Sequence, residues 1–136
     1  DSNYLWQGII PMNENPHMFN PARGFVSSAN QLPVDVKTYP YYLGGSFDVY
    51  RGIIINKMLS GMQSVTPDDM KKMQTDNYNI FAATALPILL RYITVDSLNI
   101  EEKNYISRLQ KWNFKADPEL EQPTIFNVWW NTFEAM

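Results

Sequence analysis

Two hydropathy patterns divide the chain. Before residue 46 no apolar spacing repeats. From there on, apolar residues recur every three or four positions, the signature of helices with one buried face. Five of the nine prolines (Pro11, Pro16, Pro21, Pro33 and Pro40) fall in residues 1–45. Each removes a backbone donor and pushes its predecessor toward extended conformations, so loops and short extended pieces are predicted there. One run, Gly24-Phe25-Val26-Ser27-Ser28-Ala29-Asn30, predicts a short β-strand, opened by glycine and closed by a polar residue. An irregular stretch this long is unusual in a compact domain unless it is functional or lies against another body.

The second pattern, over residues 46–136, predicts about four helices. Ser46 is placed to cap a helix over roughly 47–60, with Phe47, Tyr50, Ile54 and Met58 on one stripe and Gly61 as terminator. Thr66-Pro67-Asp68-Asp69 offers a capping hydroxyl, a proline at the first position and acids at the positive end of the dipole. The helix it starts is expected to run through Met70, Met73, Asn77, Ile80, Phe81 and Thr84 toward Tyr92, kinked by Pro87. Asn99 with Glu102 matches a capping box for a third helix carrying Ile106, Leu109 and Trp112. Pro123 opens a fourth, with Ile125, Phe126, Trp129, Trp130 and Phe133. The chain begins at Asp1 rather than Met, and the last helix meets no stop signal before Met136. Both features point to an excerpt from a longer polypeptide.

Composition narrows the function classes. The 136 residues are 45% hydrophobic and 18% charged, a globular balance about one domain long. A net charge of -3 without a basic patch argues against nucleic acid and anionic membranes as partners. The longest apolar run, 82–90, is broken by Thr84 and Pro87 and is too short to cross a bilayer. The absence of cysteine excludes disulfides, thiolate metal sites and cysteine nucleophiles within the chain.

Candidate chemistry is sparse. His17 is the only histidine and has no G-x-S-x-G serine nearby, so a surface or packing role is expected. Asp68 and Asp69 are adjacent, diverge around a helix, and are expected to cap rather than to act as an acid–base pair. Met58, Met70 and Met73 are expected as core filler. Two polar residues stand out. Asn30 closes the extended segment, where its amide can donate into a cleft, and Arg51 lies on the first helix among apolar neighbours. A strand-end cap and a snorkelling arginine account for the same two residues on physical grounds alone.

A collinear series of motifs covers nearly the whole chain. It starts with Trp6-Gln7-Gly8-Ile9-Ile10-Pro11, Asn15-Pro16, Asn20-Pro21-Ala22-Arg23-Gly24-Phe25-Val26 and Ala29-Asn30-Gln31. It continues through Tyr39-Pro40-Tyr41-Tyr42-Leu43-Gly44-Gly45, Tyr50-Arg51 and Thr66-Pro67-Asp68-Asp69, then Leu86-Pro87, Leu109, Trp112 and Ile125-Phe126-Asn127-Val128-Trp129-Trp130. This series resembles the penicillin acylase family of N-terminal-nucleophile amidases, in the interior of the β subunit.

The resemblance implies a mainly α piece of an αββα hydrolase, with the remainder of the β subunit and the α subunit as partners. It implies a small acylated-amine substrate and a periplasmic or other extracytoplasmic location. In such enzymes a Ser, Thr or Cys freed as the first residue of the β subunit attacks the amide, with its own α-amino group as base. Asn30 matches the oxyanion-hole asparagine and Arg51 a nearby arginine that orders the site; these two are the candidate catalytic residues. Ser2, near Trp6, only superficially imitates a nucleophile start, because Trp6 already belongs to the later block. No cofactor is required for this chemistry. Some members bind structural calcium, but Asp35 has different spacing and no site is assigned to it. The isolated chain is expected to be inactive and to self-associate through uncovered apolar surface, including Trp129, Trp130 and the N-terminal loops. Two rival readings are a degenerate relative that binds acyl or peptide ligands without turnover, and a helical interaction module.

Overall fold

Thr66 and Asn99 both start helices as their capping boxes require. In the computed structural model, which describes residues 5–45 and 48–136, the order is α1 (Tyr50–Ser60), α2 (Pro67–Gln74), α3 (Ile80–Leu90), α4 (Ile100–Gln110) and α5 (Gln122–Glu134). Single 3-10 turns occupy Met12–Glu14 and Val95–Ser97. The chain is therefore mainly α with a loop-rich start. It divides into two compact units, Asp1–Met62 and Gln63–Met136.

At α2 the Thr66 hydroxyl accepts from Asp69 N at 3.3 Å, and the Asp69 carboxylate accepts from Thr66 N at 3.0 Å. The Thr66 hydroxyl also donates to Asp69 Oδ2 at 2.7 Å, and this bond first, then the one from Thr66 N, holds the Asp69 carboxyl below its usual range. At α4 Asn99 Oδ1 accepts from Glu101 N and Glu102 N at 2.9 and 3.0 Å, and Glu102 closes the box on Asn99 N at 2.8 Å. α1 begins at Tyr50, with Val49 at its cap making no side-chain bond; the expected Ser46 cap and Phe47 lie outside the described residues. Gly61 takes the C-cap, as expected.

Two expectations are corrected. The long second helix is two helices. Residues 75–79 leave the helix because they pair with a distant segment: Asn79 N donates to Phe114 O at 2.8 Å, Ala116 N donates to Asn77 O at 3.2 Å, and Tyr78 and Lys115 form an antiparallel bridge. Asn79 then caps α3 by accepting from Ala82 N at 2.8 Å. α3 continues through Pro87 and ends three residues later.

The predicted strand over 24–30 is also absent, since no β-ladder forms among the described residues. A strand needs a neighbour to satisfy its alternate N–H and C=O groups, and among the described residues no segment pairs with this one. The run opens instead from a turn closed by Gly24, with φ +77° and its N–H on Pro21 O at 2.9 Å, and side chains hold it from there.

The core of the second unit is Ala82, Leu86, Leu109, Trp112 and Phe126, with Phe81, Phe114 and Trp130 packed against it. Phe81 meets Phe126 and Trp130 edge-on, with centroids 5.7 and 4.7 Å apart. Trp112 satisfies its buried indole N–H on Lys115 O at 2.8 Å. Trp129 and Trp130 are thus half-buried against this core rather than uncovered. No helix among the described residues is long and apolar enough to cross a membrane.

Candidate functional site

The two residues singled out by sequence are brought together within the first unit. Arg51, the second residue of α1, donates from Nη2 to Asn30 Oδ1. Asn30 follows the buried Ala29 and holds φ +63°, in the left-handed region. Asparagine tolerates that region better than most residues, so the loop selects its type as well as its amide.

The bond to Arg51 has a chemical consequence. A guanidinium has donors only, so the atom it meets must be the amide oxygen. With Oδ1 held by a cation, the Nδ2 hydrogens point elsewhere and are more strongly polarised as donors. No acceptor among the described residues is paired with Nδ2, and Asn30 is exposed. Arg51 is exposed as well, and its guanidinium reaches Asn30. The arrangement is a fixed amide donor at the surface of the unit.

The loop around it is secured by residues that the sequence did not single out. Gln31 Oε1 accepts from Ala29 N at 2.8 Å and sits where a Cβ on Gly52 would come within 3.1 Å. Asn56, one turn further along α1, accepts from Arg23 Nη1 at 3.0 Å and Ser27 Oγ at 2.9 Å. Gln31, Val49, Gly52, Ile53 and Asn56 line a shallow recess of about 360 Å³. A polar residue directly after the apolar run Ile53-Ile54-Ile55, four positions from a glycine, was the available signal.

The remaining candidates do not gather here. His17 is exposed and donates from Nδ1 to Asn15 O at 2.8 Å, a local turn contact. Asp68 pairs with Lys71 at 2.9 Å on the surface of α2. Asp35 caps its own turn, accepting from Lys37 N at 2.9 Å, and no three metal-ligating side chains converge among the described residues. Ser2 lies outside the described residues. A larger groove of about 600 Å³ opens between α4 and α5, lined by Ile93, Leu98, Ile106, Leu109, Val128 and Trp129, and contains neither Asn30 nor Arg51.

No solved structure matches the chain. The sequence pattern of the penicillin amidase family, by contrast, extends over residues 1–136 without interruption. With its motifs collinear from end to end, this chain belongs to the penicillin amidase family, and its origin is that of an amidohydrolase.

Proposed function

We propose that the chain is the oxyanion-stabilising segment of an amidase that cleaves acyl amides through an N-terminal nucleophile carried on another stretch of polypeptide. That nucleophile attacks the amide carbonyl while its α-amino group takes the proton, the amine leaves, and water then releases the acid from the acyl-enzyme. Asn30 Nδ2 donates to the oxyanion that forms in each half-reaction. Arg51 keeps the amide turned the right way.

The observation that carries this reading is the Arg51–Asn30 bond, which leaves a polarised N–H pair as the free end of the amide. The segment supplies one donor and no attacking group, so the isolated chain is inactive. Its exposed Trp6, Ile9 and Phe19 drive self-association, and in the complete protein the rest of the β subunit and the α subunit cover them. The substrate is a small acylated amine, and the location is extracytoplasmic.

The test is Asn30→Gly in the full-length enzyme. Glycine accepts φ +63° freely, so this variant removes the amide without the backbone penalty that alanine adds. Loss of one oxyanion donor should lower kcat by about 10²–10³, with KM little changed. Full turnover by the glycine variant would refute the assignment.

A further inference from the structure

The loop carrying Asn30 is tied to α1 at three places, and the Arg51 bond is only one of them. We infer that Asn56 is a positioning residue for the Asn30 amide, an assignment that rests on the function proposed above. Asn56 Nδ2 donates to Gly52 O at 2.7 Å, back along its own helix. That bond fixes the orientation of the side-chain amide, so Oδ1 faces the loop. An amide oxygen has two lone pairs, and both are used, by Arg23 Nη1 at 3.0 Å and Ser27 Oγ at 2.9 Å.

Arg23 extends the hold. Its Nε donates to Phe25 O at 3.0 Å, and its guanidinium lies 4.7 Å from the Phe25 ring centre. Residues 23, 25 and 27 are therefore strung onto one helical side chain.

Two residues separate Ser27 from Asn30. One of them, Ala29, is buried, with its N–H on the Gln31 carboxamide that rests over Gly52. The path from Asn56 to Asn30 is short and packed. In a strand a backbone ladder would set the height of Asn30; here the side chains of α1 do so. Catalysis by an oxyanion donor depends on placement, and a displacement near 1 Å can cost about 10²-fold.

The experiment uses the full-length enzyme and a chromogenic acylated amine. Asn56→Leu removes the amide at similar volume, and Asn56→Asp keeps an acceptor for both Arg23 and Ser27. Each is made in the wild-type and the Asn30→Gly backgrounds, and kcat and KM are measured separately.

Asn56→Leu should lower kcat about tenfold or more with KM little changed, and Asn56→Asp should recover most of the loss. In the Asn30→Gly background Asn56→Leu should have no further effect, because the group it positions is gone. Equal fractional losses in both backgrounds, an unimpaired Asn56→Leu enzyme, or an Asn56→Asp enzyme no better than the leucine variant would each overturn the inference while leaving the role of Asn30 intact. Full activity in Asn30→Gly alone would remove both. If Asn56→Leu yields no soluble enzyme, Ser27→Ala removes one of the two bonds to Asn56 Oδ1, and its loss must show the same dependence on Asn30 or the inference falls.

Discussion

Around Phe126 the second unit assembles a cluster of rings and aliphatic side chains, whereas the first unit, among its described residues, buries one apolar side chain of the core class, Ala29. In the first unit Trp6, Ile9 and Phe19 remain more than nine-tenths exposed. Its order comes from side chains bonded to backbone and to each other: Arg51 to Asn30, Gln31 to Ala29, Asn56 to Arg23 and Ser27. Tyr41 adds another such tie to Glu14, and that bond to a carboxylate raises the phenol above its ordinary pKa. The candidate chemistry sits in the unit with the smaller core. A loop fixed by directed polar bonds can present an amide at a defined angle, which apolar packing, being non-directional, does less well.

This contrast predicts where each unit breaks. Phe126 is fully buried, and Phe126→Ala should cost the second unit about 3–5 kcal/mol, comparable to the whole stability of a small domain. The readout is the cooperative transition followed by tryptophan fluorescence, since Trp112 and Trp130 lie 6.0 and 6.4 Å from the Phe126 ring centre. A loss below about 1 kcal/mol would mean that this cluster is not what holds the unit together.

The first unit should fail by polar deletion instead. Gln31→Leu preserves apolar bulk but leaves the Ala29 N–H, part-buried and bonded to Gln31 at 2.8 Å, without its acceptor. The expected cost is about 1–3 kcal/mol. It should appear as faster proteolysis within residues 23–31, with the tryptophan transition of the second unit unmoved. If cleavage there does not accelerate, the loop is ordered by something other than these bonds.

Much of the second unit was legible because its signals are local. Thr66-Pro67-Asp68-Asp69 and Asn99 with Glu102 specify their own helix starts within four residues, and both boxes form. The break between α2 and α3 was not legible. Apolar periodicity from Met70 through Met73 and Ile80 to Thr84 runs straight across it, and the cause is a segment more than thirty positions away, where Phe114 O takes the Asn79 N–H.

The strand over 24–30 failed for the converse reason: its composition is strand-like, but a strand also needs a neighbour. Asn30 and Arg51 were found through the family motifs, and their direct bond was not foreseen. Gln31 and Gly52 matter only through contacts across the loop, which no spacing rule encodes, and Asn56 is marked in the sequence only as a polar residue that follows an apolar run.

Capping in the second unit offers a smaller test of the same contrast. Asn99→Ala removes the acceptor for Glu101 N and Glu102 N at the start of α4, and should cost about 1 kcal/mol. Urea unfolding should shift its midpoint without changing slope, because the apolar core is untouched. A change in slope would show that α4 frays away from the core rather than merely losing its cap.

The smallest effect is expected from the ion pair that joins the segment between α2 and α3 to the segment after α4. Lys115 Nζ lies 2.6 Å from Asp76 Oδ2, and Tyr78 N donates to Asp76 Oδ1 at 2.9 Å. The lysine first, and then the backbone donor, hold the Asp76 carboxyl below its ordinary value of 3.8. Because the folded pKa is the depressed one, the stabilisation is fully present above the unfolded value and fades as pH falls through the folded value. The side chains are 23% and 34% exposed, so solvent screening keeps the contribution to about 0–1 kcal/mol. Asp76→Asn should therefore be slightly less stable than the parent chain near neutral pH, and the difference should shrink once pH drops below about 4. Urea midpoints of the second unit at about pH 7 and about pH 3 decide it. A gap that persists unchanged in acid would show that the loss does not come from the charge. A gap approaching that of Phe126→Ala would erase the distinction between the units, because directed polar bonds would then govern both.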